Sequence, residues 1–371
     1  MNILTISTVF PNPAHTNFGL FVRARLEHMG RLASIRVLAP VPLVDYRLRE
    51  LHFRSRIPRC RNDGTLTVYH PRWLYPPAGG FLNAIFLFLR LLWPVLRLDR
   101  QWRVDVIDAH FAHPDGVASA MLAAILRRPF TVTLRGNETA HGVFRLRRWG
   151  MARALRRAAR VITVSEALRR YAISLGAAPE RVKTIPNGVD ASVFHPRGAA
   201  VEKHIILSAG YLIELKGHHH LIRAVSALRS RGIPCELRIA GGPGGAAAYE
   251  AELRRLVAEL QLESAVNFLG AVPPSRLAEL MSGSGVFSLA SAREGWPNVV
   301  HEAMACGAPV VATDIGGVPE MIPSEAYGFV VPAGDPAALE SALEKALSTR
   351  SAAAFIVEPI QGKGVNLPDD G

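Results

Sequence analysis

Two carboxylates frame the stretch Glu294-Gly295-Trp296-Pro297-Asn298-Val299-Val300-His301-Glu302, with seven residues between them. Glu294 follows an apolar run that reads as a strand, so it falls in a loop. Pro297 suits the first turn of a helix, where its missing N–H costs nothing. Glu302 then lies inside that helix, near its start. A helix opening offers free backbone N–H groups and a partial positive charge, which together make an anion site. A loop carboxylate gripping hydroxyls, amides holding phosphate and a helix carboxylate gripping a ribose would bind a nucleotide sugar.

Other polar residues gather where apolar runs end. Asp108-Ala109-His110 closes one run and Arg135-Gly136-Asn137-Glu138 closes the next. His110, Arg135 and Glu138 therefore fall at the carboxyl ends of strands, where open α/β sheets bind ligands. The plainer alternatives are a structural histidine and a structural ion pair. Gly19, between the first strand and a helix, is either a close-approach position or a helix-entry glycine. Ser165 ahead of Glu166 reads as an N-cap. His218-His219-His220 cannot converge on one ion, because consecutive helix residues point to different faces. Cys60, Cys235 and Cys306 form no CxxC pair, which argues against a zinc site or a disulfide framework. No metal and no cofactor is expected.

The elements that must position these residues alternate. The first half reads as strands near 2–8, 34–39, 65–70, 104–109, 130–135, 161–164 and 182–185. Helical patterns near 19–32, 80–98, 115–127, 146–159 and 166–175 separate them. The second half reads as strands near 204–209, 235–240, 265–269, 286–290, 309–312 and 328–331, with helices near 217–231, 246–261, 275–282, 297–306 and 335–348. Alternation of this kind predicts parallel sheets with helices on both faces. The fold class expected is α/β, two Rossmann-like doubly wound domains facing a cleft. The boundary falls in Pro186-Asn187-Gly188-Val189-Asp190, rich in turn residues. The domains are read as 1–190 and 191–349, with 350–371 as a separate tail.

Composition agrees. In 371 residues, 49% are hydrophobic and 20% charged, which excludes global disorder and suggests about two domains. The first 198 residues carry a net charge of +18 and the remainder −6, making the chain's +12. The basic half should favour an anionic substrate or surface. Arg145, Arg147, Arg148, Arg153, Arg156, Arg157 and Arg160 follow one another with no acid between them. They are read as a solvated helix face or as a surface for anionic lipid or phosphate. Nucleic acid is not expected, since no binding motif accompanies the charge. Phe81–Leu98 is strongly apolar, but Asn83, Arg90, Pro94 and Arg97 interrupt it. A core helix or a shallowly membrane-inserted one is expected rather than a span. The N-terminus lacks the basic start and long apolar run of a signal peptide, and sparse cysteines suit a reducing cytoplasm.

With these motifs in view, the chain resembles the retaining glycosyltransferases of family 4, which have the GT-B fold. Glu294–Glu302 is similar to that family's E-x7-E motif. The resemblance continues through Ala303-Met304-Ala305-Cys306-Gly307-Ala308-Pro309, Gly316-Gly317-Val318-Pro319-Glu320, Ile185-Pro186-Asn187-Gly188-Val189-Asp190 and Lys216-Gly217-His218. It covers roughly residues 1–349 and implies a metal-independent transferase of surface polysaccharide synthesis. The partners it implies are a nucleotide-sugar donor and a glycan or lipid-linked acceptor; the basic charge of the first half suggests a lipid-diphosphate-linked acceptor at the inner membrane face. Glu302 would bond the donor ribose and Glu294 the transferred sugar. Gly210 and the amides near Asn298 and Val299 would border the diphosphate, with Lys216 adding a cation. Many members carry an Arg where this chain has Tyr211. His110 matches the second histidine of the family's H-x-H segment, beside the reacting centre, with Asp108 at the first. Gly19, Arg135 and Glu138 would face the acceptor. No DxD metal anchor occurs.

The stretch Ala352–Gly371 resembles instead an internal segment of the ornithine-type, pyridoxal-phosphate aminotransferases, without that family's cofactor lysine. The family 4 helix that packs back on the N-terminal domain is expected to be missing. Two other readings therefore stand beside the transferase: an epimerase or hydrolase of the same fold, and an inactive nucleotide-sugar-binding protein.

Overall fold

The computed structural model describes residues 1–16, 18–45, 50–51, 57–198, 200–244 and 247–349. The segment 350–371, whose resemblance was to an aminotransferase fragment, lies outside the described residues. The chain divides into two compact units, Met1–Pro186 and the part from Asn187 onward.

The first unit is built on strands β1 (Asn2–Ile6), β2 (Ser34–Leu38), β3 (Cys60–Asp63), β4 (Leu66–Tyr69), β5 (Val106–His110), β6 (Phe130–Leu134), β7 (Arg160–Thr163) and β8 (Val182–Thr184). Their order in the sheet is β8-β7-β6-β5-β1-β2-β4-β3. All neighbours run parallel except the β3/β4 hairpin. The central strands are largely apolar because helices cover both faces; Leu4 and Ile6 of β1 are fully buried. The helices are α1 (Leu20–Met29), α2 (Leu82–Trp102), α3 (Val117–Leu126), α4 (Asn137–His141), α5 (Arg145–Arg157) and α6 (Glu166–Ser174). Val22 and Leu26 of α1 join Ile3, Val37 and Val68 in one cluster. α2 continues through Pro94 and buries Ala84, Leu87, Leu91, Val95 and Leu98. Ser165 caps α6, its Oγ accepting from the Leu168 N–H.

The second unit has strands β9 (Glu202–Ala209), β10 (Glu236–Ala240), β11 (Val266–Gly270), β12 (Ser284–Leu289), β13 (Val310–Thr313) and β14 (Phe329–Val331). The sheet is wholly parallel, in the order β11-β10-β9-β12-β13-β14. Numbered from its own first strand, that is 3-2-1-4-5-6, the doubly wound dinucleotide-fold order. Helices α7 (His218–Ser230), α8 (Ala247–Glu259), α9 (Pro274–Gly283), α10 (Asn298–Ala305), α11 (Val318–Met321) and α12 (Pro336–Thr349) flank it. Ile206, Leu221, Val225, Leu237, Val286 and Leu343 form its core. In such sheets the crevice opens where the winding reverses, here between β9 and β12. In the first unit the reversal lies between β1 and β5.

Candidate functional site

The reversal point of the second unit collects the residues after β9 and β12. Gly210 follows β9, and a Cβ built on it would stand 3.3 Å from the Lys216 stem. Lys216 Nζ donates to Glu294 Oε1, pairing the loop after β9 with the loop after β12. Ser291 Oγ donates to the same carboxylate oxygen at 3.0 Å. The Ser291 carbonyl in turn accepts from Thr313 Oγ1 at 2.6 Å, which ties the loop to the end of β13. Gly316 shapes the other side. Its φ is +53°, and a Cβ there would lie 2.2 Å from the Glu294 carbonyl oxygen. Only glycine allows both the backbone conformation and the approach.

Beyond the loop, Pro297 leads into α10. The amides of Asn298 and Val299 open the helix and have no carbonyl one turn behind them to bond. The Asn298 side chain itself is engaged, its Oδ1 accepting from Asn187 Nδ2 at 3.0 Å. One turn on, Glu302 is half-buried. Burial pushes its carboxyl up to about 7, with no cation to counter the shift. Tyr211, where relatives by resemblance carry Arg, is 45% exposed. Its carbonyl oxygen lies 3.3 Å from the buried His218 Nε2. His219 bonds Tyr249 through Nδ1 at 2.6 Å. Among the described residues, no cluster of three or more His, Cys, Asp or Glu is placed to hold a metal ion.

The first unit's reversal point holds a buried polar web. Thr5 and Thr131 sit level with Asp108 on the two strands beside it. Thr131 Oγ1 donates to Asp108 Oδ1 at 2.7 Å, and Thr5 Oγ1 lies 3.3 Å from Oδ2. His110 Nε2 is 3.2 Å from Asp108 Oδ2, and Arg135 Nε donates to His110 Nδ1 at 3.1 Å. His110 is fully buried. Burial and the nearby Arg135 charge, outweighing the pull of Asp108, lower it to about 4, so its ring is neutral. Nδ1 is taken by Arg135, while Nε2 faces Asp108 at contact distance without a formed hydrogen bond. That differs from the expectation of a ring addressing the reacting centre: His110 holds Arg135.

Glu138 departs from expectation too. It is fully buried and accepts from the amides of Ala112, Arg135 and Gly136, at 3.1, 3.2 and 2.7 Å. Ala112 follows β5, whereas Arg135 and Gly136 follow β6, so the one carboxylate satisfies N–H groups at both strand ends. It is a loop organiser rather than a surface for an acceptor. Arg135 stays at the strand end, 8% exposed, its guanidinium 5.0 Å over the Phe21 ring. Gly19 has φ +79°, and a Cβ would lie 2.6 Å from the Val9 carbonyl oxygen, so it is a close-approach position as well as the entry to α1.

Sequence reasoning assigned nothing to Asp115. Its Oδ2 accepts from Thr8 N at 3.0 Å and Thr8 Oγ1 at 3.1 Å, fixing the loop after β1. Full burial raises its carboxyl to about 8. The available signal was an acid directly after His113-Pro114 at a strand end.

Comparison with known proteins follows the division of the chain. Residues 45–193 match the model of Glycosyltransferase Family 4, and residues 192–358 that of Glycosyl transferases group 1. D-inositol 3-phosphate glycosyltransferase of Acidothermus cellulolyticus is 32% identical over 53% of this chain and 48% of its own. The chain thus spans about half the length of that relative. TuaC of Bacillus subtilis, named for teichuronic acid biosynthesis, is 26% identical over 90% of this chain and 86% of its own. Among solved structures, Anabaena Alr3699/HepE in complex with UDP superposes with a TM-score of 0.73 at 22% identity, covering 95% of this chain and 92% of that one. The same protein in complex with UDP-glucose gives 0.72.

Proposed function

We propose, for a chain that belongs with the glycosyltransferases of the GT-B fold, that it moves a sugar with retention from a nucleoside diphosphate donor to a hydroxyl of a glycan or lipid-linked acceptor. The product belongs to surface polysaccharide synthesis. The observation that carries this reading is the Lys216–Glu294 pair, set at the reversal point of the second sheet near the opening of α10.

In the proposed reaction the acceptor oxygen forms a bond to the anomeric carbon on the face that the phosphate leaves. The carbon–oxygen bond to phosphate breaks, and the acceptor proton passes to the departing phosphate. Negative charge grows on that phosphate, and preorganised donors beside it lower the barrier. Lys216 and the first amides of α10 are those donors, which leaves no step that requires a metal. Lys216 exchanges Glu294 for phosphate, and Glu294 turns to the sugar hydroxyls. Glu302 takes the ribose hydroxyls, which supply the hydrogen bonds its half-buried carboxylate lacks. The acceptor lies against the first unit, near Gly19 and Arg135. UDP and UDP-glucose in the Anabaena neighbour support a uridine donor as the first to try.

The test is thermal stabilisation by UDP, GDP and ADP, with Glu302→Ala alongside. A ligand at a hundred times its Kd stabilises a protein by about 2.7 kcal/mol. One nucleotide should shift the wild type and leave the variant unmoved. No shift in a folded protein overturns the donor site. Release of free sugar without transfer would instead mark a hydrolase.

A further inference from the structure

We infer that the outer faces of α2 and of the segment entering α5 form one docking surface for an anionic lipid bilayer. On α2 the stripe opposite the core is apolar. Leu82, Leu89 and Trp93 are exposed by 55%, 59% and 69%, with Phe86 between them on the same face. They span about 16 Å of helix at its 1.5 Å rise. An apolar stripe on a helix belongs in a core or against another apolar surface, yet of the two apolar stripes of α2 only the one facing the core is covered among the described residues. Among the described residues no helix is long and apolar enough to cross a membrane. The stripe is therefore suited to lie in an interface rather than span it.

A second, independent patch meets the first. Val143, Phe144, Leu146 and Trp149 are all more than half exposed. Trp149 packs edge-on against Phe81, at the foot of α2, with ring centroids 5.9 Å apart. Gly150 lets α5 close on that ring, since a Cβ there would stand 2.5 Å from Phe81. The arginines of α5 surround these side chains. Arg147 lies 4.5 Å over the Phe144 ring and Arg153 lies 6.0 Å over Trp149. No acid occurs from residue 139 to residue 165, and Arg90, Arg97 and Arg100 add charge along α2. Exposed tryptophan amid arginine is the composition of an interfacial anchor.

The charge selects the occupant. A second copy of this chain would set one arginine-rich face against another, since a two-fold contact is self-complementary. A convex apolar stripe offers a protein segment no groove. An anionic bilayer takes both features at once, apolar side chains below the headgroups and arginines among them.

The full chain is mixed with vesicles of phosphatidylcholine alone and of phosphatidylcholine with phosphatidylglycerol, then sedimented. Each arginine near an anionic surface is worth roughly a fivefold gain in partition. The wild type should sediment with the anionic vesicles only, and release as salt rises. Leu89→Gln with Trp93→Gln, and Arg148→Glu with Arg153→Glu, should each weaken partition by tenfold or more at unchanged melting temperature. Failure to partition, equal partition into neutral vesicles, or partition untouched by either pair overturns the inference. So does a dimer in vesicle-free solution that the apolar pair dissolves. Nucleotide binding reads the donor site without lipid, so the two readings fail separately.

Discussion

Lys216 and Glu294, 78 positions apart in the chain, form an ion pair in the second unit, with their side chains 19% and 17% exposed. In the proposed binding mode each neutralises the group that would otherwise grip the donor. Removing either partner should therefore do opposite things to a bare nucleotide. Lys216→Ala removes a charge-assisted contact to phosphate worth about 1.5–3 kcal/mol, a loss of tenfold or more in affinity for the nucleoside diphosphate. Glu294→Gln frees the lysine, and the same nucleotide should bind several-fold more tightly while sugar transfer falls. Calorimetric titration of both variants checks the pair. Parallel weakening in both would show that Glu294 orients Lys216 instead of competing for it.

Glu302 predicts a pH dependence. Burial raises its carboxyl to about 7 from an ordinary value of 4.5. In the proposed binding mode a ribose hydroxyl donates to the ionised form, so below pH 7 binding would first expel a proton. Affinity for the nucleotide should fall as pH drops from 7.5 toward 5.5, by at most about tenfold per unit. The folding contribution has the opposite sign. The folded state holds the proton more tightly than the unfolded one, so stability from this group is lost as pH rises from about 4.5 to about 7. Titrations in buffers of different ionisation enthalpy should show proton release on binding. Glu302→Gln should bind with less release and a flatter profile, the remainder coming from the nucleotide's own terminal phosphate, which titrates at about 6.

The strands that place these residues were legible because parallel strands buried on both faces are nearly continuous apolar runs. The reading of 204–209 met Glu202–Ala209, and 286–290 met Ser284–Leu289. The hairpin strand Cys60–Asp63 escaped notice, because a half-exposed edge of Cys-Arg-Asn-Asp carries no apolar signal. α4 was too short, at 5 residues, to show a period. Of the site, the carboxyl-end positions were readable from alternation alone. The partners were not. A period of two sets Asp108 and His110 on one face of β5, which hints at their pairing. That Arg135 closes on the far ring nitrogen depends on β6 lying next to β5, a fact of sheet order that no local pattern carries.

His110 should act on stability before it acts on rate. Its ring is held neutral at about 4, against 6.5 in an unfolded chain. The unfolded state binds more protons between those values, so stability is full above pH 6.5 and is lost as pH falls toward 4. From pH 7 to pH 5 this one group removes about 2 kcal/mol. Urea unfolding of His110→Gln at the two pH values should show that much less acid sensitivity. His110→Ala should cost about 3 kcal/mol at pH 7, because it leaves Asp108 and Arg135 without their bridge. If His110→Ala keeps its stability and loses only transfer, the ring serves the reaction directly.

Gly316 separates the geometry of the donor loop from its chemistry. A methyl group at this position would overlap the Glu294 carbonyl oxygen, and the φ of +53° is strained for any other residue. Gly316→Ala should cost about 1–3 kcal/mol of stability from backbone strain. The larger effect falls on function, since the clash pushes away the backbone that carries Glu294. The loop is anchored from behind by the Gly317 N–H to the Gly295 carbonyl at 3.1 Å and by Thr313 on Ser291. Those ties hold the two segments together, so the strain has to be taken up at Glu294 itself. Sugar transfer should drop a hundredfold or so, as expected for a misplacement of about 1 Å. Nucleotide binding through Lys216 and α10 should persist within a few-fold. A kcat that survives Gly316→Ala would mean that Glu294 reaches the sugar through a mobile loop and owes nothing to this contact.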